Sequence, residues 1–140
     1  AEQRAAREVE IARKKEEEKK AAEQARHDRA LTGSYASAAD IDQMRDRAIA
    51  EIEKNAGQAK THLEAALKKQ QQLDQEKEFY ARKPIPVPLT RQIEDNAKEV
   101  AMHQKAIEQK DADIAATRER FDADKARFLQ ITGQAPRKPQ

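Results

Sequence analysis

Six large apolar residues stand seven apart in the second half of this chain: Ile93, Val100, Ile107, Ile114, Phe121 and Phe128. A seven-residue apolar repeat keeps one face of an α-helix turned towards a neighbouring helix. It leaves no place for a strand, whose faces alternate every second residue. A disordered chain has no reason to keep such spacing, so the repeat decides between two readings that composition leaves open. Charged residues are 39% of the sequence, aromatics 4% and apolar residues 37%, many of them Ala. That mixture is too lean for a thick globular core, but it suits helices packed in pairs.

The repeat lies in a helix expected from about Leu89 to Ile131. On one side its companion positions are Asn96, His103, Lys110, Thr117 and Asp124. On the other they are Ala97, Gln104 and Asp111. An earlier stretch carries a second stripe with gaps alternating three and four: Ile49, Ile52, Ala56, Ala59, Leu63, Ala66, Gln70, Leu73, Lys77 and Tyr80, extended backwards by Ile41 and by Met44 or Ala48. This spacing marks a coiled-coil seam on a helix expected from about residue 38 to Arg82. Ser37 and Asp40 signal its start, the first as a cap and the second as negative charge in the first turn. Gly57 weakens it by roughly 1 kcal/mol relative to Ala.

Between the two stripes, Lys83-Pro84-Ile85-Pro86-Val87-Pro88 reads as non-helical, because its prolines remove amide donors and favour extended neighbours. Two helices of similar length joined by a short connection pack antiparallel. Folding about Ile85 sets Leu73 near Ala97, Leu63 near Ile107, Ile52 near Phe121 and Ile41 near Phe128. The expected fold is all-α: a long antiparallel two-helix coiled-coil hairpin over residues 38–132, preceded by a charged single helix over 1–31. A helix break and cap span 32–37, the turn lies at 84–88, and a flexible basic tail spans 133–140. The helical pattern is already under way at Ala1, which reads as a processed or truncated chain.

Residues 1–31 carry opposite charges four apart, as in Glu10–Lys14, Arg13–Glu17 and Glu16–Lys20, each stabilising a helix by roughly 0.2–0.5 kcal/mol. Their apolar residues are too sparse for a buried stripe. A solvated single helix is the simplest reading; docking on a partner through Val9 and Ile11 is the alternative.

Lys plus Arg number 28 against 26 for Asp plus Glu, with the signs interleaved, so no nucleic-acid arm or polybasic anchor is expected. No apolar run suits direct membrane insertion, and the absence of cysteine excludes disulfides and thiolate metal sites. His27, His62 and His103 are the only histidines. In the register about Ile85, His62 falls near Glu108 and His103 near Leu67, so the rings stand more than a turn apart and no metal site is expected. No nucleophile–His–carboxylate set and no glycine-rich phosphate loop occurs. A thin helical pair also lacks the pocket catalysis needs, so the chain reads as a non-enzyme without cofactor.

The turn offers the clearest candidate surface. Phe79, Tyr80, Ile85, Val87 and Leu89 gather apolar groups beside a stiff Pro-rich backbone that pre-orders them for a protein partner. The bland alternative is that these residues clamp a helix end that would otherwise fray. Met44, Leu67, Phe79 and Met102 lie beside the main seam and supply a second face for a homodimer built as a four-helix bundle.

The stretch from Leu31 to Arg47, and within it Tyr35, Ala36, Ser37, Asp40, Ile41, Arg45 and Asp46, resembles a junction in uncharacterised exported coiled-coil proteins of proteobacteria. In those, a charged helix leads through a Tyr-Ala-Ser segment and an acidic-Ile pair into a long helical hairpin. The resemblance, over roughly residues 25–132, implies a periplasmic location and no particular activity. The expected function is a structural or interaction protein, a spacer or docking rod in an envelope assembly. Two other readings are a holdase-like periplasmic chaperone and the helical hairpin of an envelope transport adaptor.

Overall fold

The structure, a computed structural model, describes residues 1–133; of the tail expected at 133–140, all but Gly133 lies outside them. The chain is all-α, with three helices and no strand among the described residues: α1 (Glu2–Ser34), α2 (Ala38–Phe79) and α3 (Val87–Thr132). Packing divides it into two units. One comprises Ala1–Met44 with the stretch from Arg120 onward; the other is Arg45–Glu119.

In the first unit, Leu31, Ile41, Phe121 and Phe128 form the core, and Ile41 and Phe128 are each only 1% exposed. Exposed side chains cover α1 from Glu2 to His27, Val9 and Ile11 included, and its one buried residue is Leu31. Arg13 is paired with both Glu10 and Glu17 along its surface. The helix continues through Gly33, where a break had been expected, and stops at Ser34. A glycine costs a helix only about 1 kcal/mol, too little to end one whose last turn buries Leu31. The stop comes instead from Tyr35, which is extended and whose N–H still reaches the Leu31 carbonyl at 3.1 Å. Ser37 then starts α2 as expected: its Oγ accepts the Asp40 N–H at 3.3 Å, while Asp40 Oδ2 accepts the Ala36 N–H at 3.1 Å. This reciprocal arrangement satisfies amides that a helix start leaves without partners.

In the second unit, the inward side of α2 carries Ile49, Ala56, Ala66 and Leu73 as buried residues, with Ile52, Ala59, Leu63 and Gln70 half-buried between them. The three-four stripe therefore faces inward, except at its end: Lys77, expected in the seam, is exposed. On α3, Ile93, Val100, Ile107 and Ile114 are buried or half-buried, as the heptad spacing requires. The second inward edge is the more polar of the two candidates. Asn96, His103, Lys110 and Thr117 are all at least half-buried, whereas Ala97, Gln104 and Asp111 are exposed. Asn96 is 3% exposed, the one buried polar residue among those described. Its Nδ2 donates to the Ala66 carbonyl at 3.0 Å, and its Oδ1 is buried without a hydrogen-bond donor.

The connection departs from expectation. Helix α2 ends at Phe79 rather than near Arg82, and tight turns follow, closed by bonds from the N–H groups of Tyr80, Ala81 and Lys83 to the carbonyls of Lys77, Glu78 and Tyr80. Helix α3 begins at Val87, so Val87 and Pro88, expected to be non-helical, belong to its first turn. Pro86 caps it, its carbonyl accepting the N–H groups of Leu89 and Thr90, both at 3.1 Å. A proline in a first helical turn loses nothing, because its missing amide would have had no partner there. Moving both helix ends towards the N-terminus moves the pairing as well. His62, expected beside Glu108, lies against His103, with ring centroids 5.4 Å apart, and Ala66 meets Asn96 rather than a residue near Gln104.

Candidate partner-docking surface at the helical turn

The five residues singled out at the turn divide into three kinds. Phe79 is 73% exposed and Val87 65% exposed, the two most open large apolar side chains of this unit. Tyr80 and Ile85 are half-buried. Leu89 is buried at 6% and therefore packs within the unit rather than facing a partner. The capped start of α3 explains the split. With Val87 as the first helical residue, Leu89, Ile93 and Asn96 fall on one face at helical spacing, and Val87 is left on another.

Phe79 meets Tyr80 edge-on, with centroids 5.3 Å apart, and the Lys83 ammonium stands 5.7 Å from the Phe79 centroid. The ring is thus held on one side by its neighbour and flanked by a cation, while most of its surface remains in water. Such a group gains most by burial against another apolar surface, since it loses little side-chain freedom on binding.

A second cluster, which the sequence did not disclose, ties the first unit together by charge. Arg127 grips Asp28 with two nitrogens, Nη2 at 2.7 Å and Nε at 2.9 Å. This fork-to-carboxylate geometry holds the Asp28 carboxyl well below the usual range, at about 2, with Gln24 adding a further hydrogen bond; Arg127 is raised in turn by the same contact. Lys125 meets Asp42 at 3.0 Å, and His27 Nε2 lies 3.2 Å from Asp124. Asp28 and Arg127 are 99 residues apart in sequence, and no local pattern announces such a pair. The only available signal was position, one turn before Leu31 and directly beside Phe128.

An open groove of about 470 Å³ lies along Ser34, Tyr35, Asp40, Gln43 and Met44, and a second of about 400 Å³ lies along Glu64, Leu67, Lys68 and Gln71. Among the described residues, no three His or carboxylate side chains gather into a metal cluster, and no helix is long and apolar enough to cross a membrane. No family model matches the chain, and neither a curated protein nor a solved structure shows a significant match to it.

Proposed function

We propose that this chain is a non-enzymatic protein-interaction and spacer protein, in which α2 and α3 zip as an antiparallel coiled-coil hairpin whose turn docks a protein partner. The single observation that carries the docking reading is the exposure of Phe79 and Val87 at either end of a short, capped, Pro-rich connection. Tyr80 and Ile85, both half-buried, lie in the connection between them. The antiparallel reading is supported by the order of the contacts. Ala66 meets Asn96 and, further back on α2, His62 meets His103 further along α3; in the other unit, Asp42 meets Lys125. The resemblance at Leu31–Arg47 favours a bacterial envelope assembly, in the periplasm, as the setting.

The chain has no cysteine, so engineered pairs report pairing directly. His62→Cys with His103→Cys should be joined within the chain by a short bifunctional thiol reagent faster than His62→Cys with Glu108→Cys; the reverse order would refute the register. For the docking surface, a photo-crosslinking residue placed at position 79 captures the partner. The Phe79→Ser/Val87→Ser double variant, with circular dichroism unchanged, should then bind that partner at least tenfold more weakly, roughly the effect of losing two apolar anchors. Unchanged affinity would remove the turn as the docking site.

A further inference from the structure

The corrected pairing of α2 and α3 brings His62 and His103, on facing helices, to a centroid separation of 5.4 Å with their planes tilted by 51°. His62 is exposed and His103 half-buried, so water and ions reach the pair from outside. We propose that these two imidazoles form a binding site for one divalent transition-metal ion of the copper, nickel and zinc group, which clips α2 to α3.

Metal–imidazole bonds of about 2.0–2.1 Å, with about 1.1 Å from a ring nitrogen to its centroid, put each centroid about 3.2 Å from a bound ion. Two centroids at a tetrahedral angle about that ion then stand about 5.2 Å apart. The rings stand at 5.4 Å, a centroid spacing that matches two imidazoles sharing one ion. Neutral imidazole suits copper, nickel and zinc, and hard cations such as magnesium and calcium prefer oxygen. Since the described residues contain no cluster of three metal-binding side chains, two protein ligands hold the ion and its other positions remain with water.

The location gives the site a consequence. Around it the seam mixes small and larger side chains: Ala59, Ala66 and Ala106 stand among Leu63, Val100 and Ile107, all buried or half-buried. A bond bridging the helices there adds a cross-link to a seam whose alanines bury little apolar area. An ion that binds only the juxtaposed pair stabilises the folded state in proportion to the logarithm of its free concentration. His27, by contrast, sits against Asp124 in the other unit and serves as an internal control.

The experiment is calorimetric titration of the full chain with Cu²⁺, Ni²⁺, Zn²⁺ and Mg²⁺, paired with thermal melts at each concentration. One ion per chain is expected, tightest for Cu²⁺ and absent for Mg²⁺, with a melting temperature that rises with metal and returns on adding a chelator. His62→Gln and His103→Gln should each weaken Cu²⁺ binding by an order of magnitude or more and abolish the melting shift, while His27→Gln leaves both intact. His62→Gln changes an exposed residue, so its fold is preserved and its result stands by itself. Electron paramagnetic resonance of the copper complex should show two equivalent nitrogen couplings. The proposal is overturned if His62→Gln binds like the unaltered chain, or if metal bridges two chains, seen as a metal-dependent doubling of mass in light scattering.

Discussion

Replacing Asn96 by leucine should make the protein more stable, although it removes a hydrogen bond. Asn96 is 3% exposed; its Nδ2 donates to the Ala66 carbonyl at 3.0 Å and its Oδ1 is buried without a donor. The lost bond stabilises the fold by about 1 kcal/mol, and removing the orphaned acceptor recovers about 1–3 kcal/mol of desolvation. Burying a leucine side chain adds about 1.5–3 kcal/mol, less about 1 kcal/mol for imperfect fit at a site shaped for an amide. The net expectation for Asn96→Leu is a gain of about 0.5–4 kcal/mol. It is read as a higher urea midpoint with an unchanged slope. Asn96→Asp, which sets a carboxylate against the Ala66 carbonyl, should lose more than about 2 kcal/mol at neutral pH. A lower midpoint for Asn96→Leu would refute the reasoning, since it would mean that both amide atoms are well satisfied. A stabilising leucine would imply that the asparagine is kept for pairing specificity, as a buried asparagine fixes register in coiled coils.

Three further outcomes follow from the same contacts. Gly57 has nothing within 4 Å of where a Cβ would stand, so Gly57→Ala should stabilise α2 by about 0.5–1 kcal/mol in urea denaturation. Phe128→Ala empties one of the two most buried positions and should cost about 3–5 kcal/mol, seen as a large fall in melting temperature. Asp28 has its carboxyl lowered to about 2 by Arg127 and Gln24, so it remains ionised in the folded chain under conditions that protonate it in the unfolded one. Its contribution is therefore complete above about pH 4 and fades as the pH falls towards 2. Arg127→Gln should remove that acid dependence, and carbon NMR of the Asp28 carboxyl should show its titration moving back up.

Helical content was legible because it rests on periodicity, which a sequence displays directly. Ile93 to Phe128 repeat by heptads, and every one of those residues is at least half-buried. The inward edge beside them was not legible by polarity. Asn96, His103 and Lys110 turned inward while Ala97 stayed out, because an amide can bond to a facing carbonyl and a lysine stem can lie along apolar surface with its charge in water. Proline misled at the connection for a related reason: inside a helix it breaks hydrogen bonds, but at Pro88 no bond was there to break. That small error at the ends of two helices displaced the partners expected for His62 and Ala66. It hid the approach of His62 to His103 and grouped Leu89, which is buried, with Phe79 and Val87, which are exposed.

Helix α1, exposed from Glu2 to His27 and held at its far end by Leu31 and the Asp28–Arg127 pair, has a kinetic consequence. A helix fastened at one end opens like a zipper from the other, each residue adding a small increment set by propensity and side-chain pairs. Its amides should therefore exchange with solvent as a smooth gradient, fastest near Glu2 and slowing towards Leu31, rather than in one cooperative step. Lys14 and Lys15 would lie early on that gradient and Arg29 late, so limited trypsin digestion should trim the helix inward from its N-terminus and stall at the anchor.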